Sequence, residues 1–141
     1  MALKPFAPIH EDASLQSTQA FPAANANADS DGWKIPHGSK SAPDQSLCVK
    51  ITFPDLAAHS DTNDTLTATL QDSADGVTYA AVNPLVQLSL VGVASTGTTG
   101  DDYILPLPPN VREYVRVRVN NPSGGPTITS SNWTAGVVVR A

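Results

Sequence analysis

TLTATLQDSADGVTYAAV, residues 65–82, decides the fold of this chain, because it contains two alternating runs joined by a loop of turn-forming residues. Apolar and polar residues alternate over 65–71 and again over 77–81, which is the period of half-buried antiparallel strands. Gly76 can adopt the positive φ that closes such a loop, and the Asp and Ser side chains of 72–75 can hydrogen-bond the backbone beside it. The stretch therefore predicts a β-hairpin.

The same alternation recurs from residue 46 onward, between turns rich in Gly, Pro, Asn and Asp. It predicts further strands at 47–53, 86–90, 103–107, 111–119 and 133–140. About eight short strands with this spacing and no helical pattern are typical of all-β proteins. We therefore expect an antiparallel β-sandwich over residues 46–141, with a jelly roll favoured over an immunoglobulin-like topology.

Residues 1–45 differ from the rest, because five prolines punctuate a segment rich in Ala, Asn, Asp and Ser. Such a composition cannot bury enough apolar surface to offset its own ordering entropy. We expect an extended N-terminal arm that is ordered by contacts outside its own domain and that can add one or two strands, at 15–21 and 33–35. Its candidate contact residues are the large apolar side chains Phe6, Ile9, Phe21, Trp33 and Ile35.

The sharpest alternation, in residues 111–119, separates two kinds of side chain. One face carries Val115, Val117 and Val119, which we expect to be buried. The other face carries the polar side chains Arg112, Tyr114, Arg116 and Arg118.

Charge is also segregated along the chain. Residues 103–141 hold all four arginines and one acid, whereas residues 1–102 hold four lysines and twelve acids. In one interpretation the arginines of 111–119 pair with carboxylates on neighbouring strands. In the other, this face meets a protein partner, because Arg and Tyr are enriched in interfaces.

The composition excludes several classes of function. A net charge of −5 argues against a duplex nucleic-acid binder, whose affinity depends on neutralising phosphates. No stretch approaches the roughly 20 apolar residues of a membrane span, so we expect no membrane contact. Cys48 is the only cysteine, and the first residues carry no apolar run of signal-peptide length. Both features fit a protein made in a reducing cytoplasm.

No arrangement of residues predicts catalysis, a metal or a cofactor. His10, His37 and His59 share no short spacing, and we expect them to be exposed residues. The Asp-rich turns lack the Gly and distal Glu of a calcium loop, and the loop at 92–100 lacks the Lys of a phosphate-binding loop. We therefore expect a protein that is not an enzyme and has no catalytic, cofactor-binding or metal-binding residues.

Four stretches carry a resemblance to a known class of protein. They are ASLQSTQAF (13–21), LTATLQDSADGVTYAAV (66–82), LPPNVREYVRVRVNNPSGG (107–125) and TAGVVV (134–139). With them the chain resembles the small β-rich decoration, or cement, proteins of tailed bacteriophage heads. The resemblance implies a jelly-roll homotrimer on the outer surface of the virion, assembled in the host cytoplasm, whose arms contact the lattice of the major capsid protein and stabilise it.

The residues that would make this contact are the arm side chains and the arginine and tyrosine face described above. An alternative function is a carbohydrate-binding β-sandwich module of a phage or surface adhesin. Exposed aromatic residues would then stack on sugars, and the candidates are Trp33, Tyr103, Tyr114 and Trp133.

Overall fold

The computed structural model describes residues 10–35, 46–129 and 131–140. Ten strands and no helix lie within these residues. The strands are β1 (His10–Ala20), β2 (Ala26–Asp29), β3 (Trp33–Lys34), β4 (Ser46–Phe53), β5 (Thr65–Ser73), β6 (Ala80–Ala81), β7 (Gln87–Val91), β8 (Asp101–Pro106), β9 (Tyr114–Asn121) and β10 (Asn132–Arg140).

The strands form two antiparallel sheets, so the predicted β-sandwich is confirmed. The first sheet has the order β1-β10-β4-β8. In the second sheet β9 and β5 are central, β2 and β3 share one edge along β9, and β6 and β7 share the other edge along β5. Each sheet is therefore four strand positions wide, and we call each position a lane. In the second sheet one lane contains β2 and β3, and another contains β6 and β7.

The order of these lanes is that of a jelly roll. Counted along the chain, the first lane pairs with the eighth, the second with the seventh, the third with the sixth and the fourth with the fifth. The two sheets then read 1-8-3-6 and 2-7-4-5, which is the winding of two Greek keys in a double-sheet jelly roll. The topology favoured from the sequence is the one that the chain adopts.

The core lies between the sheets and follows the alternation of the sequence. The predicted buried face of β9 is confirmed, because Val115, Val117 and Val119 have no exposed surface. The other strands contribute alternate residues in the same way. Large core side chains include Phe21, Trp33, Leu47, Val49, Ile51, Phe53, Leu66, Leu70, Leu105, Trp133 and Val137.

Residues 10–35 belong to the sandwich, which corrects the expectation of a separate arm over this range. β1 is an edge strand of the first sheet and pairs with β10, whereas β2 and β3 pair with β9. Phe21, Trp33 and Ile35 are buried in the core. The segment cannot form a core alone, but the edges of both sheets provide hydrogen-bond partners and apolar surface.

The expected hairpin is present, but its second strand is shorter than the alternation predicts. Only Ala80–Ala81 pairs with β5 in this region, and Val77 is 80% exposed. The cause is Asp75, whose carboxylate accepts the backbone N–H groups of Val77 and Thr78 at 2.9 Å and so holds the chain in a loop up to Tyr79. Gly76 has φ 76°, as the turn requires.

His59 is fully buried, so the expectation of an exposed histidine is wrong at this position. Its Nε2 lies 3.1 Å from the carbonyl oxygen of Asp64, which can only accept, so Nε2 carries the proton. The Thr98 hydroxyl lies 3.5 Å from Nδ1, and the His59 carbonyl accepts the N–H of Val93. The side chain therefore joins the loop after β4 to the loop after β7. His37 lies outside the described residues.

Candidate protein-binding surfaces

The outer face of β9 carries the side chains that the sequence singled out. Tyr114, Arg116 and Arg118 point away from the core and are only partly exposed. Arg112 precedes β9 and lies at the end of the strand, because β9 begins at Tyr114 and not at residue 111. The structure thus brings these four residues together along one face of the second sheet.

Asp29 on the neighbouring strand β2 pairs with two of the arginines. It accepts hydrogen bonds from Nε and Nη2 of Arg118 at 2.7 and 2.9 Å, and its Oδ2 lies 3.4 Å from Nη1 of Arg116. The hydrogen bonds from Arg118 hold the pKa of Asp29 below its usual value, although partial burial opposes this shift. This pairing joins β2, which comes from the N-terminal segment, to the centre of the second sheet.

Arg116 is held on three sides. Its Nε donates to Oε1 of Gln71 on β5 at 2.8 Å, and its guanidinium lies 4.2 Å from the centre of the Tyr79 ring. The Tyr79 hydroxyl covers Gly32 so closely that any side chain there would collide with it. The Arg116 side chain is therefore only 19% exposed, since it packs between Asp29, Gln71 and Tyr79.

Arg112 forms the most complete ion pair on this face. Its Nε and Nη2 donate to Oδ1 of Asp72 at 3.0 and 2.8 Å, and Nη2 also donates to the Asp72 carbonyl oxygen. The backbone N–H of Arg112 donates to Oδ2 of Asp72 at 3.0 Å. The Asp72 side chain is only 10% exposed, so a carboxylate buried at the end of β5 is neutralised by one arginine.

These contacts bear on the first interpretation of the charge pattern, in which the arginines pair with neighbouring strands. The three arginines pair with carboxylates and an amide of neighbouring strands, so the first interpretation describes what the structure shows. Tyr114 lies against Gly76, which leaves the tyrosine partly exposed.

The arm residues divide into two groups. Phe6 and Ile9 lie outside the described residues. Phe21 and Trp33, by contrast, are buried in the core, so neither side chain is accessible to a partner. Their assignment as contact residues is therefore corrected: they hold the N-terminal segment on its own sandwich.

The turn at Asp75 gives a pH prediction for this side of the sheet. Hydrogen bonds from the backbone of Thr78 and Val77, and then from the Ser73 hydroxyl, lower the pKa of Asp75 to about 2. Because the folded pKa is depressed, the loop gains stability that is fully present above the ordinary value of 3.8 and is lost as the pH falls through about 2. We expect the amide resonances of Val77 and Thr78 to titrate with a midpoint near 2 in NMR spectra.

The matched control for this titration is Asp75→Asn, which keeps an acceptor oxygen but cannot ionise. In this variant the low-pH step at Val77 and Thr78 should disappear. A midpoint near 4 in the wild-type protein would show that the carboxylate does not hold the loop.

A second surface was not predicted from the sequence. All large apolar side chains that the described structure leaves exposed lie between residues 76 and 100: Val77 at 80%, Leu85 at 60%, Val91 at 51% and Val93 at 47%. These 25 residues contain no Asp, Glu, Lys, Arg or His. They include β6 and β7, the free edge lane of the second sheet, and we call this range the uncharged edge.

The uncharged edge is unusual for a sheet boundary. Edge strands are normally protected against pairing by charged side chains, prolines or bulges. β7 contains no charge and no proline, and no strand in the described part of the chain pairs with its outer side. The absence of charge over 76–100, read together with its Leu and Val residues, is the sequence signal that would have located this surface.

The described residues show no further candidate binding site. Two shallow grooves, of about 80 Å³ beside Gly136 and about 240 Å³ between Leu56 and Ile128, have no aromatic side chain in their walls. The described residues contain no group of three or more His, Cys, Asp or Glu that could hold a metal ion. Nor does this part of the chain contain a helix long and apolar enough to cross a membrane.

Comparison with known proteins adds no identification. No protein-family model matches this chain, and no curated protein matches it.

Proposed function

We propose that this chain is a structural virion protein that decorates the head of a tailed bacteriophage and stabilises the assembled lattice of the major capsid protein. The single observation that carries the proposal is the uncharged edge, where every large exposed apolar side chain of the described structure is collected. Exposed apolar side chains beside an uncharged, unpaired strand are features of a protein–protein contact. The step from an assembly protein to a head decoration protein comes from the resemblance of the four sequence stretches.

The proposed contact with the coat uses the N-terminal end of the chain. Phe21 and Trp33 are occupied in the core, so Phe6 and Ile9 are the candidate arm residues that remain for the capsid protein. Both precede β1, which lies at an edge of the first sheet. A contact made there leaves the uncharged edge of the second sheet available for another protein surface.

The mechanism is mass action on a symmetric assembly. A protein that binds the assembled lattice and not its free subunits stabilises the lattice by linkage. A closed homo-oligomer, a trimer according to the resemblance, would multiply weak contacts through effective concentration. The virion exterior is the location that this function requires.

No observation favours the carbohydrate-binding alternative. Trp33 and Trp133 are buried in the core, and neither can stack on a sugar. The Tyr103 ring lies 6.1 Å from the Phe53 ring and is packed against the core. Tyr103 and Tyr114 each retain only partial exposure, and Tyr114 lies against Gly76.

The proposal predicts that the protein raises the stability of phage heads. Heads of the phage whose genome carries the gene would be prepared without the protein and mixed with the purified chain. We expect the chain to co-sediment with the heads and to raise the temperature at which they release DNA, because it binds only the assembled lattice.

The variant that tests the contact is Phe6→Ser/Ile9→Ser, which should bind heads more weakly than the wild-type protein. Absence of co-sedimentation, together with an unchanged release temperature, would contradict the proposal. Binding to a defined glycan in place of heads would favour the carbohydrate-binding module.

A further inference from the structure

We propose that the uncharged edge binds a second copy of this chain, through antiparallel pairing of β7 with β7 about a twofold axis at Ser89. The inference rests on the proposed function for its premise that this edge is a protein contact, and it names the partner. It needs no contact with a capsid.

The backbone of β7 presents its unused hydrogen-bonding groups to the free edge. Gly92 donates its N–H to Asp64, and the Val86 carbonyl accepts from Leu70, both at 3.0 Å. In an antiparallel ladder the residues that bond to one neighbour alternate with those that face the other side. The N–H and C=O groups of Gln87, Ser89 and Val91 therefore point outward.

Two of the four residue pairs around Ser89 match in type when the sequence is reversed. Residues 85–93 read LVQLSLVGV, so reversal about Ser89 matches Leu88 with Leu90 and Leu85 with Val93. Antiparallel pairing centred on Ser89 places each residue whose backbone groups point to the free edge opposite another such residue of the second copy. Three hydrogen-bonded pairs result, Gln87 with Val91 twice and Ser89 with itself, and they form about six backbone hydrogen bonds.

The same register covers the exposed apolar side chains. Leu85 of one copy then lies opposite Val93 of the other copy. It is also a diagonal neighbour of Val91 of that other copy. These three side chains are about half exposed or more in the single chain. Val77, in the loop between β5 and β6, lies outside the pairing and serves as an internal reference.

Charge also favours a second copy as the partner. The chain has a net charge of −5, so two copies repel each other over most of their surfaces. Residues 76–100 carry no charge, and two copies can approach along this lane without placing like charges opposite each other. The paired second sheets would form one continuous sheet of eight lanes, because each copy contributes four.

A twofold contact is isologous and closes with two copies. The pairing by itself therefore gives the free protein a native mass twice the 14.7 kDa of the chain. The trimer implied by the resemblance would need a different surface, and its combination with this twofold would give six copies. A native mass of three copies would overturn the pairing, and so would a monomer at tens of micromolar concentration.

Cysteine substitution tests the register in the full-length chain. Paired residues opposite each other in hydrogen-bonded positions have Cα atoms about 5.5 Å apart, within the range that a disulfide spans. Ser89→Cys should therefore form a disulfide-linked dimer under mild oxidation. Cys48 is buried and should not compete.

The matched control is Thr67→Cys, because Thr67 lies directly beside Ser89 on β5. The two copies of residue 67 would be three lane spacings apart, about 14 Å, which is too far for a disulfide. Equal cross-linking of Ser89→Cys and Thr67→Cys would overturn the register. No cross-linking of Ser89→Cys would overturn the pairing.

Two edge variants should weaken the dimer without unfolding the chain. Ser89→Pro removes an N–H that β5 does not use, and Val91→Lys adds the charge that natural edges employ. Each should raise the dimer dissociation constant at least about tenfold at an unchanged monomer melting temperature. Val77→Lys, which adds the same charge away from β7, should leave the dimer intact, and equal weakening by Val77→Lys would overturn the assignment to β7.

The test separates this inference from the proposed function. A dimer cross-linked through Ser89 that fails to bind heads would leave the pairing standing and remove the decoration function. A monomer that binds and stabilises heads would overturn the pairing and leave the decoration function standing.

Discussion

Val117→Asp is expected to abolish cooperative folding. Val117 lies at the centre of β9, has no exposed surface, and pairs with Leu70 across the middle of the second sheet. An aspartate there would place a charge, or a protonated acid without a partner, between the two sheets. Burial of an unpaired charge costs several kcal/mol, and a domain has only about 5–15 kcal/mol of total stability. Far-ultraviolet circular dichroism should show no thermal transition.

The matched control is Val77→Asp, the same substitution at a position that is 80% exposed. It should change the free energy of unfolding by about 0.5 kcal/mol or less, which corresponds to a shift of a few degrees in melting temperature. Similar losses in the two variants would mean that the alternation along β9 does not separate a buried face from an outer face.

The alternation that supports this prediction also shows how much of the fold the sequence contains. A period of two over 111–119 identified Val115, Val117 and Val119 as a buried face, and the structure agrees. Similar patterns located β4, β5, β7, β8 and β10 to within a few residues. These strands lie in the interior of the sandwich or carry strong apolar alternation, so their residue types predict which side chains are buried.

The N-terminal strands were predicted only in part: the strands expected at 15–21 and 33–35 overlap β1 and β3, whereas the start of β1 and all of β2 have residue types that do not favour a strand. β2 reads ANAD, and β1 reads HEDASLQSTQA, sequences with few β-branched or aromatic residues. They are strands because β9 and β10 offer unpaired edges. β1 pairs with β10, more than 100 residues away along the chain, and a local pattern contains no information about a partner at that separation.

The functional surfaces were also only partly predictable. Alternation identified the arginines on one face, but it could not decide whether they were free, since their partners Asp29 and Asp72 come from strands β2 and β5. The uncharged edge has no charged, metal-ligating or nucleophilic pattern that would mark it as a site in the sequence. Its signal is the lack of charge over residues 76–100, which becomes meaningful once β7 is known to lie at a sheet edge.

The pair of Arg112 and Asp72 gives the second large expected effect. Arg112→Ala should lower the free energy of unfolding by about 2–4 kcal/mol, because it leaves a carboxylate that is 90% buried with a single backbone N–H as donor. A loss of this size corresponds to a melting temperature about 10 °C lower. Chemical denaturation followed by tryptophan fluorescence would measure it, since Trp33 and Trp133 are both buried.

Lys34→Ala provides the comparison with an ordinary surface pair. Nζ of Lys34 lies 3.1 Å from Glu113, but both side chains are more than half exposed. Such a pair contributes about 0–1 kcal/mol, so its loss should be close to undetectable. Equal losses of unfolding free energy in Lys34→Ala and Arg112→Ala would show that the burial of Asp72 does not determine the effect of Arg112→Ala.

A double-mutant cycle then isolates the charge of Asp72. Asp72→Asn retains an acceptor for the backbone N–H of Arg112 but has no charge to neutralise. In this background the removal of Arg112 leaves a neutral amide, which is much cheaper to bury than a carboxylate. We therefore expect Arg112→Ala to cost at least about 1 kcal/mol less when residue 72 is Asn than when it is Asp, a coupling well within the range seen for directly bonded pairs. Equal costs in the two backgrounds would show that Arg112 stabilises this end of β5 by packing and by its hydrogen bond to the Asp72 carbonyl oxygen, and that the carboxylate needs no counter-charge.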